Sequence, residues 1–138
     1  MLGDASASAF VVYGSPRALA GGGGCLRDPR HEPETDQLCP GRAQALAGAQ
    51  ALAVSPDGRS VYAAGEDGVV ALSPAGTGGA LRPALLPSAN ACVGADPSVP
   101  CASEDGALQG ADALTVSTDG RFVYVGSSDT ASVSANCR

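Results

Sequence analysis

The phrase "ALAVSPDGRSVY", Ala51 to Tyr62, returns almost unchanged as "ALTVSTDGRFVY", Ala113 to Tyr124, 62 residues later. The same shift carries Ala45-Leu46 onto Ala107-Leu108, Gly48-Ala49 onto Gly110-Ala111, Ala18-Leu19 onto Ala80-Leu81 and Cys39 onto Cys101. Self-similarity at one fixed period is the mark of stacked supersecondary units, each burying its flanks against a sibling. In a chain of 138 residues that register leaves room for about two periods.

Each copy reads as β. "ALAV" is apolar, and "SVYAA" and "RFVYV" supply the aromatic and β-branched side chains that fit a pleated, packed surface. Between the strands of the first copy stands Ser55-Pro56-Asp57-Gly58, followed by Arg59. Pro56 presets φ, Asp57 can bond nearby backbone, and Gly58 accepts a positive φ, so the stretch predicts a hairpin turn. In the second copy Ser117, Asp119, Gly120 and Arg121 recur, with Thr118 in place of the proline. A third strand is expected over Val69 to Pro74 and a fourth over Gly79 to Leu86. Four short antiparallel strands per unit is the content of a propeller blade.

Both faces of the first strand are apolar, with Leu52 and Val54 on one and Ala51 and Ala53 on the other. A sheet covered on one side alternates apolar with polar. Two apolar faces fit a blade packed between blades; the alternative is a plain β-sandwich. The fold expected is therefore all-β, an incomplete β-propeller of about two four-stranded antiparallel blades. Residues 1–44 would hold the last strands of one blade, 45–106 a complete blade, and 107–138 the first strands of another with a degraded C-terminus.

The rest of each period is rich in Gly, Pro, Asp and Ser and reads as loop, Gly21 to Gly41 and Pro87 to Gly106. Each loop holds two cysteines, and local pairs Cys25–Cys39 and Cys92–Cys101 are expected as staples. Cys137 is left without a partner in this scheme. Five cysteines in so short a chain suit an oxidising compartment. The opening "MLGDASASAF" has neither the basic nor the apolar segment of a signal peptide. The two readings are reconciled if the chain is part of a longer protein of the cell envelope or exterior.

Charge narrows the partners. The net charge is −6, which disfavours nucleic acid and anionic membrane surfaces. All eight basic residues are arginine, so neither a phosphate-loop lysine nor a Schiff-base lysine exists. No apolar run reaches the length of a membrane-spanning helix.

At "VSPDGRSVYAAGEDGVVAL" and "VSTDGRFVYVGSSD" the sequence resembles the YVTN-type, lactonase-like β-propeller repeats of bacteria, in particular the secreted actinobacterial variety with a Cys-containing loop in each blade. The resemblance covers roughly residues 10 to 130. It implies the propeller fold; function it leaves open, because such propellers host enzymes, binders and scaffolds alike. Propellers close with about four to eight blades, so this chain is expected to be a piece of one or to share a ring with other copies of itself.

No residue constellation commands an active site. His31, the single histidine, stands near Glu32, Glu34 and Asp36, but in a proline-interrupted loop without metal-ligand spacing. A zinc site from Cys25, His31 and Cys39 would need a fourth ligand. Glu66-Asp67 and Glu104-Asp105 each precede a glycine, as turn residues do. Gly21 to Gly24 lacks the Lys-Ser/Thr of a nucleotide loop. Arg59 and Arg121 are expected to pair with the aspartates of their own turns. No catalytic, metal or cofactor residue is assigned. The expected partners are neighbouring blades or other copies of the chain, and the expected function is a binding or structural one. The alternative is a piece of a lactonase-type hydrolase acting on sugar lactones.

Overall fold

The computed structural model describes residues 24–30, 41–75, 79–84, 92–95, 97–101 and 103–137. They form an incomplete, propeller-like all-β fold of antiparallel sheets that do not close on themselves. Residues 1–23, part of the partial blade expected over 1–44, and most of the Cys25–Cys39 loop lie outside the described residues.

The first sheet is built on β3 (Ala51–Val54), β4 (Val61–Gly65) and β5 (Gly68–Ala75), paired antiparallel in sequence order. The hairpin register sets Val54 opposite Val61 and Leu52 opposite Ala63. The second sheet repeats the plan with β9 (Ala111–Val116), β10 (Phe122–Ser127) and β11 (Ser132–Cys137). Val116 there faces Val123, and Leu114 faces Val125. These are the same pairs moved by one period.

The third strand departs from the strict period. Tyr62 pairs with Ala71, whereas Tyr124 pairs with Ala135 rather than with residue 133. The turn Glu66-Asp67 has been replaced by a longer one over 128–131, with Ala131 at φ 49°. A shift of two residues preserves which side chains face which way, since strand side chains alternate with a period of two. A one-residue change would have turned the strand inside out.

The fourth strand differs from the expectation. β6 covers only Ala80–Pro83 and pairs with Leu72 to Ala75 of β5. The other half of that edge, Gly68 to Val70, pairs with β7 (Cys92–Gly94), which in turn pairs parallel with β8 (Ser103–Glu104). Part of the segment read as loop is therefore sheet. Ala84 N–H still donates to the Ala71 carbonyl at 3.0 Å, and beyond it Cys92 and Val93 take up the rest of the β5 edge. The Cys92–Cys101 disulfide, with Cα atoms 5.0 Å apart, holds β7 there. Before the first sheet, β1 (Leu26–Arg27) and β2 (Gly41–Arg42) form a short parallel pair.

Two apolar clusters flank the first sheet. On one side Tyr62, Ala64 and Val69 pack with Val123, Val125 and Ala111 of the second sheet, Leu114 and Val116 lying partly buried against them. Leu108, in the 3-10 turn Gly106–Leu108 that leads into β9, is wholly buried in this layer. On the other side Ala63, Val70 and Leu72 pack with Ala43, Ala45, Cys92 and Val99. Successive residues of β4 and β5 thus enter opposite cores, as expected for a blade between neighbours. Leu52 and Val54 depart from that pattern: both are exposed, although their counterparts Leu114 and Val116 are packed.

Leu108→Ala should lower the free energy of unfolding by about 2–5 kcal/mol, because the cavity lies between two sheets that cannot collapse onto it. Replacing Cys92 and Cys101 together by Ala should cost on the order of 3 kcal/mol for so short a loop. Chemical denaturation of each variant checks both; an unchanged midpoint for Leu108→Ala would contradict the two-sheet core.

Candidate functional site

The residues of the two repeat turns adopt the same bonds one period apart. In the first, Gly58 N–H donates to the Ser55 carbonyl at 2.9 Å, closing a β-turn, with Gly58 at φ 69°. Ser55 Oγ donates to Asp57 Oδ1 at 2.5 Å and accepts from Ser60 N–H at 3.0 Å. In the second, Gly120 N–H donates to the Ser117 carbonyl at 2.8 Å, with Gly120 at φ 72°. Ser117 Oγ donates to Asp119 Oδ1 at 2.5 Å and accepts from Phe122 N–H at 3.0 Å. In both turns the arginine backbone N–H, from Arg59 or Arg121, donates to the aspartate at 3.0 Å. The hydrogen bond from Ser117, with that from Arg121, holds the exposed Asp119 carboxyl below its usual range. These bonds satisfy groups at a tight corner; they leave the aspartates committed to the backbone.

Glu66, Asp67, Asp105 and Asp129 also sit at turns or caps. Glu66 and Asp67 form the two-residue turn between β4 and β5. The Glu66 side chain lies over Gly48, at φ 57°, and Asp129 lies over Gly110, at φ 68°, one period on. Asp105 accepts from Ala107 N–H at 3.0 Å and caps the 3-10 turn.

One charged cluster is set by contacts that no sequence motif announces. Asp28 is buried in the turn Asp28-Pro29-Arg30. Its carboxylate accepts from Arg30 backbone N–H at 2.9 Å, from the Arg30 guanidinium at 3.0 and 3.2 Å, and from Leu46 N–H at 3.3 Å. The same guanidinium reaches Asp67 in the β4–β5 turn, so it joins segments 37 residues apart. Burial alone would raise the Asp28 pKa; the Arg30 hydrogen bonds and charge, with Leu46 N–H, outweigh it and hold the group below its ordinary value. Arg30 is raised in return by its hydrogen bond to Asp28. An Asp-Pro dipeptide signals the turn, but no local feature announces Asp67 as a partner.

Beside the second apolar cluster, at the Leu52 edge of the first sheet, lies a groove of about 440 Å³. Leu26, Leu46, Leu52, Ala63, Leu72 and Leu81 form its walls, and Gln50 adds an amide. Such a surface can bury apolar groups and orient them with one or two polar contacts. It brings no nucleophile beside a base.

Most of the remaining candidates lie outside the described residues. His31, Glu32, Glu34, Asp36 and Cys39 lie outside them. Cys25 is disulfide-bonded. Among the described residues no three His, Cys, Asp or Glu side chains gather as a metal ion requires, and no helix is long and apolar enough to cross a membrane.

No family model matches the chain, and no curated protein matches it. Among solved structures, one from Bacteroides uniformis assigned as a 6-phosphogluconolactonase is similar, with a TM-score of 0.46 and 16% identity. The match covers 70% of this chain and 24% of that one, so the chain spans about a quarter of that protein's length.

The Asp28 cluster makes stability depend on pH in one direction. A folded-state pKa below the unfolded one gives a contribution that is complete above about pH 4 and lost as the pH falls through the lowered value. Asp28→Asn should therefore cost roughly 1–3 kcal/mol at pH 7 and flatten the acid limb of the stability profile. Denaturant unfolding at a series of pH values checks this; parallel profiles for the two chains would contradict it.

Proposed function

We propose that this chain is a non-catalytic segment of an extracytoplasmic, propeller-like repeat protein, serving as a binding or structural surface. The observation that carries the reading is the use made of its acids. Asp57, Asp119, Asp105 and Asp28 each accept hydrogen bonds that hold a turn, a cap or a segment junction, while the groove on the first sheet is walled mainly by leucine and alanine. Acid–base hydrolysis needs a carboxylate or imidazole free to exchange a proton with substrate. An apolar groove needs none, and serves recognition.

The blade boundaries at 44–45 and 106–107 are part of the proposal. They follow the repeat in sequence and fit the two three-stranded plans one period apart. The Cys92–Cys101 bond is compatible with an oxidising setting outside the cytoplasm. The lactonase reading is kept as the outcome that would overturn this one, and the sequence resemblance is its support.

The test is direct. The purified chain, incubated with sugar lactones with and without divalent metal, should show no turnover above the uncatalysed rate. Turnover that disappears on changing His31 or the acids beside it would overturn the proposal.

A further inference from the structure

The two sheets are successive copies of one unit, so each face of one copy can be compared with the same face of the other. Tyr62 and Val69 of the first sheet are 5% and 8% exposed, because the second sheet covers them. Their counterparts by strand pairing are Tyr124 and Val133, which stand opposite Ala135 and Gly126 on the outer face of the second sheet. Tyr124 is 39% exposed and Val133 78%. Conversely, Leu114 and Val116 pack into the shared core, whereas their counterparts Leu52 and Val54 are 69% and 60% exposed. One end of the stack thus carries an uncovered socket face, and the other an exposed plug pair, Leu52 and Val54, beside a sheet side that the second cluster otherwise covers. The plug that fills this kind of socket is already visible inside the molecule.

We infer that a second copy of this chain docks head to tail, its Leu52–Val54 face seated on the Tyr124–Val133 face of the first. The contact would follow the internal one at β3, with Leu52 and Val54 taking the places of Leu114 and Val116, while Ala63, the counterpart of Val125, stays covered by Ala43 and Ala45 of its own chain. The surfaces joined are different patches, so the contact is heterologous; it continues until a ring closes or a filament runs on. Each copy carries a net charge of −6, so the apolar contact is opposed by repulsion at low salt and released by screening. The inference rests on the packing of the sheets and not on the absence of catalysis. The lactone assay and the experiment below can therefore fail independently.

The experiment is light scattering on the full chain over a concentration series at moderate salt. The wild-type chain should grow past the dimer, and more so as salt is raised. Val133→Glu blocks one face and Leu52→Glu the other, so each alone should be monomeric, with a thermal melt matching the wild-type monomer. An equimolar mixture of the two should give a dimer that does not grow, since each variant retains one intact face. Tyr124→Glu with Val54→Glu forms a second, independent pair that should behave the same way. Growth should persist in a Cys137→Ser background. The inference is overturned if the wild-type chain stays monomeric, if either variant still dimerises alone, if folded variants do not combine, or if growth needs Cys137.

Discussion

Everything in this chain depends on the layer where the Tyr62, Ala64 and Val69 face of one sheet meets Leu114, Val116, Val123 and Val125 of the next. A sheet of short strands is stable in water only when a hydrophobic face is packed against something else. It gains stability by giving each face to a neighbour, and that demand explains why both faces are apolar. Small residues on β3 and β4 let the larger aliphatic side chains of β9 and β10 approach. Leu108, at the entry to the second sheet, closes the layer and fixes the path between copies.

The turns serve that layer. Ser, Asp and Gly at each corner make a closed set of short hydrogen bonds that stops one strand and starts the next at a set residue. Register follows, and with it the choice of which side chains enter the shared core. The Cys92–Cys101 bond and the Asp28–Arg30–Asp67 cluster do comparable work farther out, tying segments of low apolar content to the sheet. That division gives Asp28, Asp57, Asp105 and Asp119 to the framework and leaves an apolar groove on the first sheet, which is why recognition is the function proposed.

The features legible in sequence are those set by local chemistry. Asp57-Gly58 and Asp119-Gly120 declare their turns, and the period of 62 declares that the hairpins are equivalent. Third-strand pairing was less legible, because the lengthened turn at 128–131 breaks the spacing while keeping the face. β7 was hidden: Cys92 to Gly94 are three residues in a Gly- and Pro-rich stretch, and their place is set by an edge of β5 and by a disulfide, neither of which is local. Arg30 and Asp67 meet across 37 residues and carry no mutual signal. Leu52 and Leu114 sit in near-identical phrases yet differ in burial, since burial belongs to the neighbour and not to the phrase.

The central claim is that the two sheets share one core and so stand or fall together. Native-state hydrogen exchange, read amide by amide, tests it most directly, because cooperative units open with a common free energy. The strand amides of Ala63 and Val70 in the first sheet and of Val123 and Val125 in the second should exchange with one opening free energy and one denaturant dependence. Two separate values, with the second sheet opening while the first stays closed, would contradict the account.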